Sequence, residues 1–571
     1  MDYFRKANTK FFKLLNLEKR DVFSIYFYAI VSGIIYLTLP LGIQSIINNL
    51  FGNTFNTSIF LMIVFVLFGV FANGYLNIIQ LKLTERIQRR IFARFSMEFA
   101  YKLPRLELDT ISNIYLPELM NRFFDIGTLQ KTLSKILITI PSAIIQMFFG
   151  LILISIYHPF FIIFSFIVLI VLVLIILATS NAALKNSIKE SDEKYKVAFW
   201  LEEIARILKS LKLSSSSDFP LKKTDDLVCS YLDAREKHFS VILIQSWAFL
   251  GFKFIITFLL LSLGVFLVIN QDISIGQFVA SEIIILMILN SVEKIVLNLE
   301  NVYDMLTAIE KITKIFDYKE EDIIGSINTI QKIDSIEVKD LTFSYNEDDN
   351  TILENLSFKL EVPKKLCIMG TQGSGKSTLL SLLIGIYNTN KKDILVNEMP
   401  MTVYNIEEYR KRLGVYFDNQ DVFEGTLLEN ITLNREADPN LVIKLIKEIG
   451  LLDYFQTLTD GFRHKLVPFG KKLPTSVIKK ILLCRAMFNQ PDVVLLEDYW
   501  YNLEPNEQTK QLDYLFSQHN TSIIATTNDL EFAKRADNIL FLHNKKIMFI
   551  GNYQEMIQNK EIMNLISNIS L

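Results

Sequence analysis

The octapeptide Gly370-Thr371-Gln372-Gly373-Ser374-Gly375-Lys376-Ser377 carries the most specific chemistry in the chain. It fits G-x-x-x-x-G-K-S, a loop whose glycines let successive backbone N–H groups curl around phosphate oxygens. In such a loop Lys376 reaches the outer phosphates and Ser377 offers a hydroxyl to Mg²⁺. An apolar run, KKLCIM, precedes the loop and a helical run, TLLSLLIGIY, follows it, so strand, loop and helix are all in place. Thr378 continues the candidate phosphate-facing set into the helix. A second apolar strand, PDVVLLED, ends in Glu497-Asp498, acids where a Mg²⁺-facing strand should carry them, and a third, TSIIATTND, ends near Asn528. The predicted metal contacts are Ser377 and Glu497.

These residues need a framework of short strands and amphipathic helices, and the sequence supplies one from Ile336 onward. SIEVKDLTFSY and ILENLSFKLEV read as antiparallel strands that open the domain. The first three hundred residues follow another regime. The chain has 571 residues, 50% of them hydrophobic and 21% charged, with a net charge of −2. Six apolar runs, 23–47, 58–80, 134–157, 159–179, 241–269 and 275–298, are each long enough to cross a ~30 Å hydrocarbon core at ~1.5 Å per residue. The fourth, PFFIIFSFIVLIVLVLIILAT, carries no charge at all. This composition excludes an ordinary soluble enzyme and a disordered chain, and the charge balance gives no basic field for nucleic acid. Three dispersed cysteines and five histidines suggest neither a disulfide framework nor a zinc site. The first run lacks a cleavage pattern, so no removable signal peptide is expected.

Positive charge sets the predicted orientation. Lys and Arg number six in the first twenty residues, nine in 81–133 and eleven in 181–240, and none in the short connections. The positive-inside rule therefore puts both termini and both long connections in the cytosol. The long connections read as charged amphipathic helices that extend membrane helices, broken around Asp109–Pro117 and Leu213–Pro220. Within the runs, Glu282 lies ~12 Å below the outer end and Lys253 ~25 Å below it, so they are not expected to pair. Lys253 is expected to snorkel, and Glu282 to face a wet cavity or a neighbouring helix.

Six spans with long cytosolic extensions, followed by this phosphate loop, resemble a half-size ABC exporter over essentially the whole chain. Within the resemblance, Tyr345 of LTFSY matches the aromatic that stacks on adenine, so ATP with Mg²⁺ is the implied cofactor. GVYFDNQDVFEGTLLENI matches the stretch between the glutamine loop and a helical subdomain, and RADNILFL closes the domain as in the family. LPLGIQSIINNL and DISIGQFVA are most similar to haemolysin-type and bacteriocin exporters. The implied architecture is a six-span α-helical domain over 1–320, with the breaks as coupling helices, and an α/β P-loop nucleotide-binding domain over 321–571.

The departures fall in the parts that hydrolyse. The glutamine-loop position is Asp418, with Gln420 as a substitute if the loop is shortened, and Phe469 stands where the family has Glu. The signature Leu-Ser-Gly-Gly-Gln aligns with Leu473-Pro474-Thr475-Ser476-Val477. Pro474 has no N–H, and Thr475 and Ser476 add Cβ atoms at a helix N-terminus meant to approach phosphate. Glu497-Asp498 replaces Asp-Glu, leaving a general base one methylene short. YWYNLE replaces small residues after that strand, and Asn528 replaces the switch histidine, so Asp498 and Asn528 are weak catalytic candidates. The implied protein is a dimeric ATP-binding exporter subunit of a bacterial inner membrane, moving a peptide, lipid or amphipathic cargo with slow or partner-dependent hydrolysis. A heterodimer is favoured over a homodimer, and a membrane-fusion adaptor and membrane lipids are further implied partners. The alternative is a nucleotide-gated subunit that pumps nothing. A P-loop kinase or GTPase on a membrane anchor fits the six spans poorly.

Overall fold

The computed structural model describes the chain except residues 1, 52–56, 112–114, 215–217, 322, 324, 346–349, 388–392, 437, 457–460, 501–502 and 570–571. It divides into two compact units, Met1–Arg105 with Asn113–Tyr318, and Leu106–Ser112 with Lys319–Leu571.

The first unit is all helix. An amphipathic α1 (Asp2–Leu17) buries Phe11, Leu14 and Leu15. The first apolar run forms two helices, α2 (Lys19–Tyr36) and α3 (Thr38–Phe51), joined at Leu37. Pro40 has no N–H to return to Tyr36, which explains the break. Then come α4 (Thr57–Lys102), short α5 (Leu108–Ile111, in the second unit), α6 (Leu116–Asn121) and α7 (Asp125–Ser134). A π-helical turn, Lys135–Thr139, leads into α8 (Ile140–Tyr157), whose Pro141 would otherwise face an unanswered carbonyl at Leu137. The long α9 (Phe160–Arg206) is followed by α10 (Leu208–Leu213) and the longest helix, α11 (Phe219–Ile269). Last are α12 (Ile275–Leu297), opened by a Ser274–Gln277 capping box, and α13 (Leu299–Thr313). Among the described residues six helical segments are long and apolar enough to cross a membrane.

Polar contacts tie this bundle together at particular depths. Gln245 on α11 donates to Thr179 on α9 at 2.7 Å and to Tyr303 on α13 at 2.9 Å, all from a buried position. Buried Glu18 accepts from Arg90 at 2.8 Å and Arg94 at 2.9 Å on α4. Lys253 does not simply snorkel: its Nζ pairs with Glu293 on α12 at 3.0 Å. Glu282 stays apart from Lys253's partner and faces α11, its Oε1 4.0 Å from where a Cβ on Gly264 would stand. That oxygen is buried with no hydrogen-bond partner among the described residues.

The second unit holds two main sheets. β1 (Ser335–Phe343) and β2 (Leu353–Glu361) pair antiparallel, as their alternation requires. β4 (Ile394–Val396) and β5 (Met399–Pro400) complete that sheet, in the order β2-β1-β4-β5. The larger sheet contains β3 (Lys365–Gly370), β6 (Leu413–Tyr416), β9 (Val493–Glu497), β10 (Ser522–Thr526), β11 (Asn538–His543) and β12 (Lys546–Gly551). Its order is β12-β11-β3-β10-β9-β6, and all pairs but β11–β12 are parallel. A two-stranded piece, β7 (Gly425–Thr426) with β8 (Lys465–Leu466), sits in a helical insertion that ends with the helix Thr475–Met487. Parallel strands covered on both faces read as continuous apolar runs, which is what CIM, VVLL and SIIA are.

Candidate functional site

Parallel pairing aligns strand ends, and this alignment assembles the site. Thr526 on β10 is level with both Ile368 on β3 and Glu497 on β9. The chain therefore leaves three neighbouring strands on one side, delivering Gly370, Asp498 and Asn528 to the same end of the sheet, the end at which α/β sheets bind ligands. From β3 the loop 371–375 turns into α14 (Lys376–Leu383). Gly370 has φ +156°, and a Cβ there would stand 2.3 Å from the Leu542 carbonyl oxygen. Gly375 has φ +95°, and a Cβ would meet Leu353 Cδ2 at 2.4 Å. Both positions admit only glycine.

Lys376 Nζ curls over the loop, donating to Gly370 O at 3.0 Å and Thr371 O at 3.1 Å. Burial lowers its pKa, and Asp498 opposes that shift. Ser377 is exposed at the first turn of α14, and Ser374 Oγ is buried with no partner among the described residues. An orphaned hydroxyl beneath the loop, α14's free N–H groups and a lysine fit a triphosphate. Ser377 and Glu497 are the residues that would hold Mg²⁺ beside it; the described residues contain no cluster of three or more His, Cys, Asp or Glu able to hold a metal alone. Tyr345 meets the same helix: its hydroxyl is 2.9 Å from Thr378 Oγ1, and its ring stands edge-on to Phe343 and Tyr387 at 5.3 and 5.0 Å. Gln372 and Gly373 are exposed on the outer curve of the loop.

The acidic strand end is crowded. Burial raises the Asp498 carboxyl, Lys376 lowers it, and Glu497 and Asp418 raise it further. The Asp418 N–H donates to Glu497 Oε2 at 3.4 Å, so the glutamine-loop position is beside the acids. Gln420 has its Oε1 buried without a partner among the described residues. Asn528 is engaged twice, accepting from Gly370 N–H at 3.1 Å and donating to Gly370 O at 3.3 Å.

Two features escape a reading of the sequence. Lys479, buried in the helix Thr475–Met487, stands 3.7 Å from Asp418 and donates to the Tyr499 carbonyl at 3.2 Å. A lysine inside an apolar helix face was the available signal. The aromatics after Asp498 are core: Tyr416, Tyr499, Trp500, Phe532 and Phe516 form a chain of ring contacts at 4.9, 5.7, 4.7 and 5.2 Å. Tyr501 and Asn502 of the same stretch lie outside the described residues. At the signature position the helix opens at Pro474 with no side-chain cap, Thr475 is exposed, and Phe469 is exposed with φ +57°.

Comparison with known proteins bears on both units. Residues 22–292 match the ABC transporter transmembrane region, and residues 353–499 match the ABC transporter family. A glutathione/L-cysteine transport system ATP-binding/permease protein of Haemophilus influenzae is 29% identical over 259 residues, 44% of this chain and 45% of that protein. An ATP-dependent lipid A-core flippase of Coxiella burnetii is 24% identical over 287 residues, 49% of this chain and 48% of the flippase. A lacticin-481/lactococcin-DR transport/processing ATP-binding protein of Lactococcus lactis is 25% identical over 323 residues, 54% of this chain and 44% of the relative. The chain thus spans about half the length of the curated relatives it matches. A solved bacterial Atm1-family ABC exporter with ATP bound superposes with TM-score 0.86 over 97% of this chain and 98% of that one, at 14% identity, a likeness of fold. Two successive matches of one transporter family, on a fold that carries both of its domains, place this chain among the ABC transporters, as a multi-pass membrane protein with a six-helix domain followed by an α/β nucleotide-binding domain.

Proposed function

We propose that this protein is an ATP-binding exporter subunit that works as a dimer in a bacterial inner membrane, with both termini in the cytosol. The membrane domain would cover about 1–320 and the ATP-binding domain 321–571. The observation that carries this reading is the complete phosphate loop, with Lys376 folded over Gly370 and Thr371 and an orphaned Ser374 hydroxyl beneath. Tyr345 is the proposed adenine contact, and Gly370 to Thr378 the phosphate contacts, with Mg²⁺ on Ser377 and Glu497. Relatives named for glutathione/L-cysteine, for lipid A-core and for lacticin-481/lactococcin-DR support a peptide, lipid or amphipathic cargo without choosing among them.

Hydrolysis in this reading is slow or depends on a partner. Asp498 and Asn528 stand where a longer acid and a histidine are expected, and Pro474 removes the N–H and hydroxyl of the signature. A second subunit with an intact signature would give this cradle a competent counterpart, so a heterodimer is favoured. One observation favours the nucleotide-gated alternative: the ring contacts around Tyr499 and Trp500 pack the segment after Asp498 into the core. Uptake into inverted vesicles separates the two. ATP-dependent accumulation of a peptide or lipid probe supports the exporter, whereas ATP binding without accumulation, with or without the partner, supports the gated subunit.

A further inference from the structure

We infer that Asn528 is a positioning residue for the phosphate loop, fixing the first glycine of the cradle in its phosphate-binding conformation, and is no sensor of the terminal phosphate. The inference rests on the reading that this domain binds ATP, and deepens it. Gly370 donates its N–H to Asn528 Oδ1 at 3.1 Å, and its carbonyl accepts from Asn528 Nδ2 at 3.3 Å. One carboxamide thus satisfies both backbone groups of one residue. A carboxamide carries an acceptor and a donor on one carbon; a carboxylate has no donor, and the two nitrogens of an imidazole point apart. The same Gly370 carbonyl receives Lys376 Nζ at 3.0 Å, so the clamp also sets the acceptor on which the lysine rests.

The clamp is itself held. Thr527 N–H donates to Ile368 O at 3.1 Å, Asp529 N–H donates to Thr527 Oγ1 at 3.0 Å, and Asp529 Oδ1 caps the helix Leu530–Arg535 at Phe532 N–H, 2.8 Å away. Asn528 therefore sits between a strand end and a capped helix, with its backbone fixed on both sides. On the loop side, Thr371 N–H reaches the Leu542 carbonyl at 3.3 Å, and that carbonyl leaves no room for a side chain at Gly370. The start of the loop is gripped from β11 on one flank and by Asn528 on the other.

A clamp and a terminal-phosphate sensor differ in what they do to ADP. The loop N–H groups cradle the phosphates that ATP and ADP share, so loosening the loop weakens both nucleotides alike. Loss of a γ-phosphate contact weakens ATP and spares ADP. The test uses the full-length protein in detergent, with Kd measured for MgATP and for MgADP, and apo melting recorded in parallel. Asn528→Ala removes the amide; Asn528→Leu keeps its shape and neutrality and removes both hydrogen bonds. Each variant should weaken MgATP and MgADP equally, by about tenfold, the scale set by one or two net hydrogen bonds, with apo melting unchanged. If the alanine variant does not fold, the leucine variant carries the comparison. Weakening confined to MgATP, or no weakening of either nucleotide, overturns the clamp while leaving ATP binding standing. Failure of the unmodified protein to bind MgATP overturns the ATP-binding reading and the clamp with it.

Discussion

Burial pushes the Lys376 ammonium below the usual lysine range and the Asp498 carboxyl above the usual carboxylate range, and each counters the other's shift. The Asp498 carboxylate opposes the loss of charge that burial favours at the lysine, and in the proposed complex a phosphate would take the place of the loop carbonyls as its partner. Lys376→Ala should abolish measurable MgATP binding by the full-length protein at millimolar ATP; binding that survives would remove the basis of the nucleotide site. A raised carboxyl is a stronger base, yet Asp498 is short, and contact with an attacking water within ~2.6–3.2 Å is what a base needs. Asp498→Glu with Asn528→His should raise ATPase in a complex with an intact-signature partner, read at saturating ATP because the histidine gives up the Gly370 clamp. General acid–base groups contribute ~10²–10⁴-fold, so the gain should exceed background. The same double change should do little in this chain alone. The glycines, Lys376 and Ser377 were legible in the sequence because local spacing dictates the loop. The Asn528–Gly370 clamp and the Lys479–Asp418 pair were not: β10 beside β3 brings together the first pair, 158 positions apart, and the packing of the helix Thr475–Met487 against β6 brings together the second, 61 positions apart.

Helices and strands were more legible than their joints. Each of the six apolar runs falls in one of the six helical spans, to within a residue at its ends, and the two opening strands pair as their alternation demands. The break at Leu37 and the π turn at 135–139 went unread, although Pro40 and Pro141 mark both, since an apolar run looks continuous through a proline. The Lys253–Glu293 pair is not legible in the sequence, because it joins α11 to α12 across 40 positions. Glu282 is the residue to test on these elements. It borders Gly264 of α11 with an oxygen that no described group satisfies. Intramembrane acids of this kind mark a cargo path or an interhelical contact. Glu282→Gln should change transport while expression and MgATP binding persist; loss of folded protein would return the residue to packing.

At the scale of the whole molecule, orientation and pairing decide what the parts can do. A cysteine placed at Asp272, exposed after α11, should react with an impermeant reagent from outside the cell in a chain lacking its native thiol at 229. Exposed Cys229, on α11 below the apolar run, should react only after permeabilisation, and the reverse pattern would overturn the proposed topology. The loop site Asn53 and the site Ser215 lie outside the described residues, so Asp272 and Cys229 carry this test. A homodimer would pair this cradle with Pro474-Thr475-Ser476 twice, and robust ATPase by the purified chain alone would refute the need for a partner. The unbroken length of α11 has a mechanical consequence. Its 51 residues run ~77 Å at ~1.5 Å each. A ~30 Å hydrocarbon core accounts for less than half of that. The remaining ~45 Å acts as a stiff boom, on which a tilt of about 10° in the bilayer swings the tip by ~8 Å. A small rotation among membrane helices is magnified at that tip, and a push there arrives at roughly half its size beside Gly264, the α11 neighbour of Glu282, ~22 Å past the end of that arm.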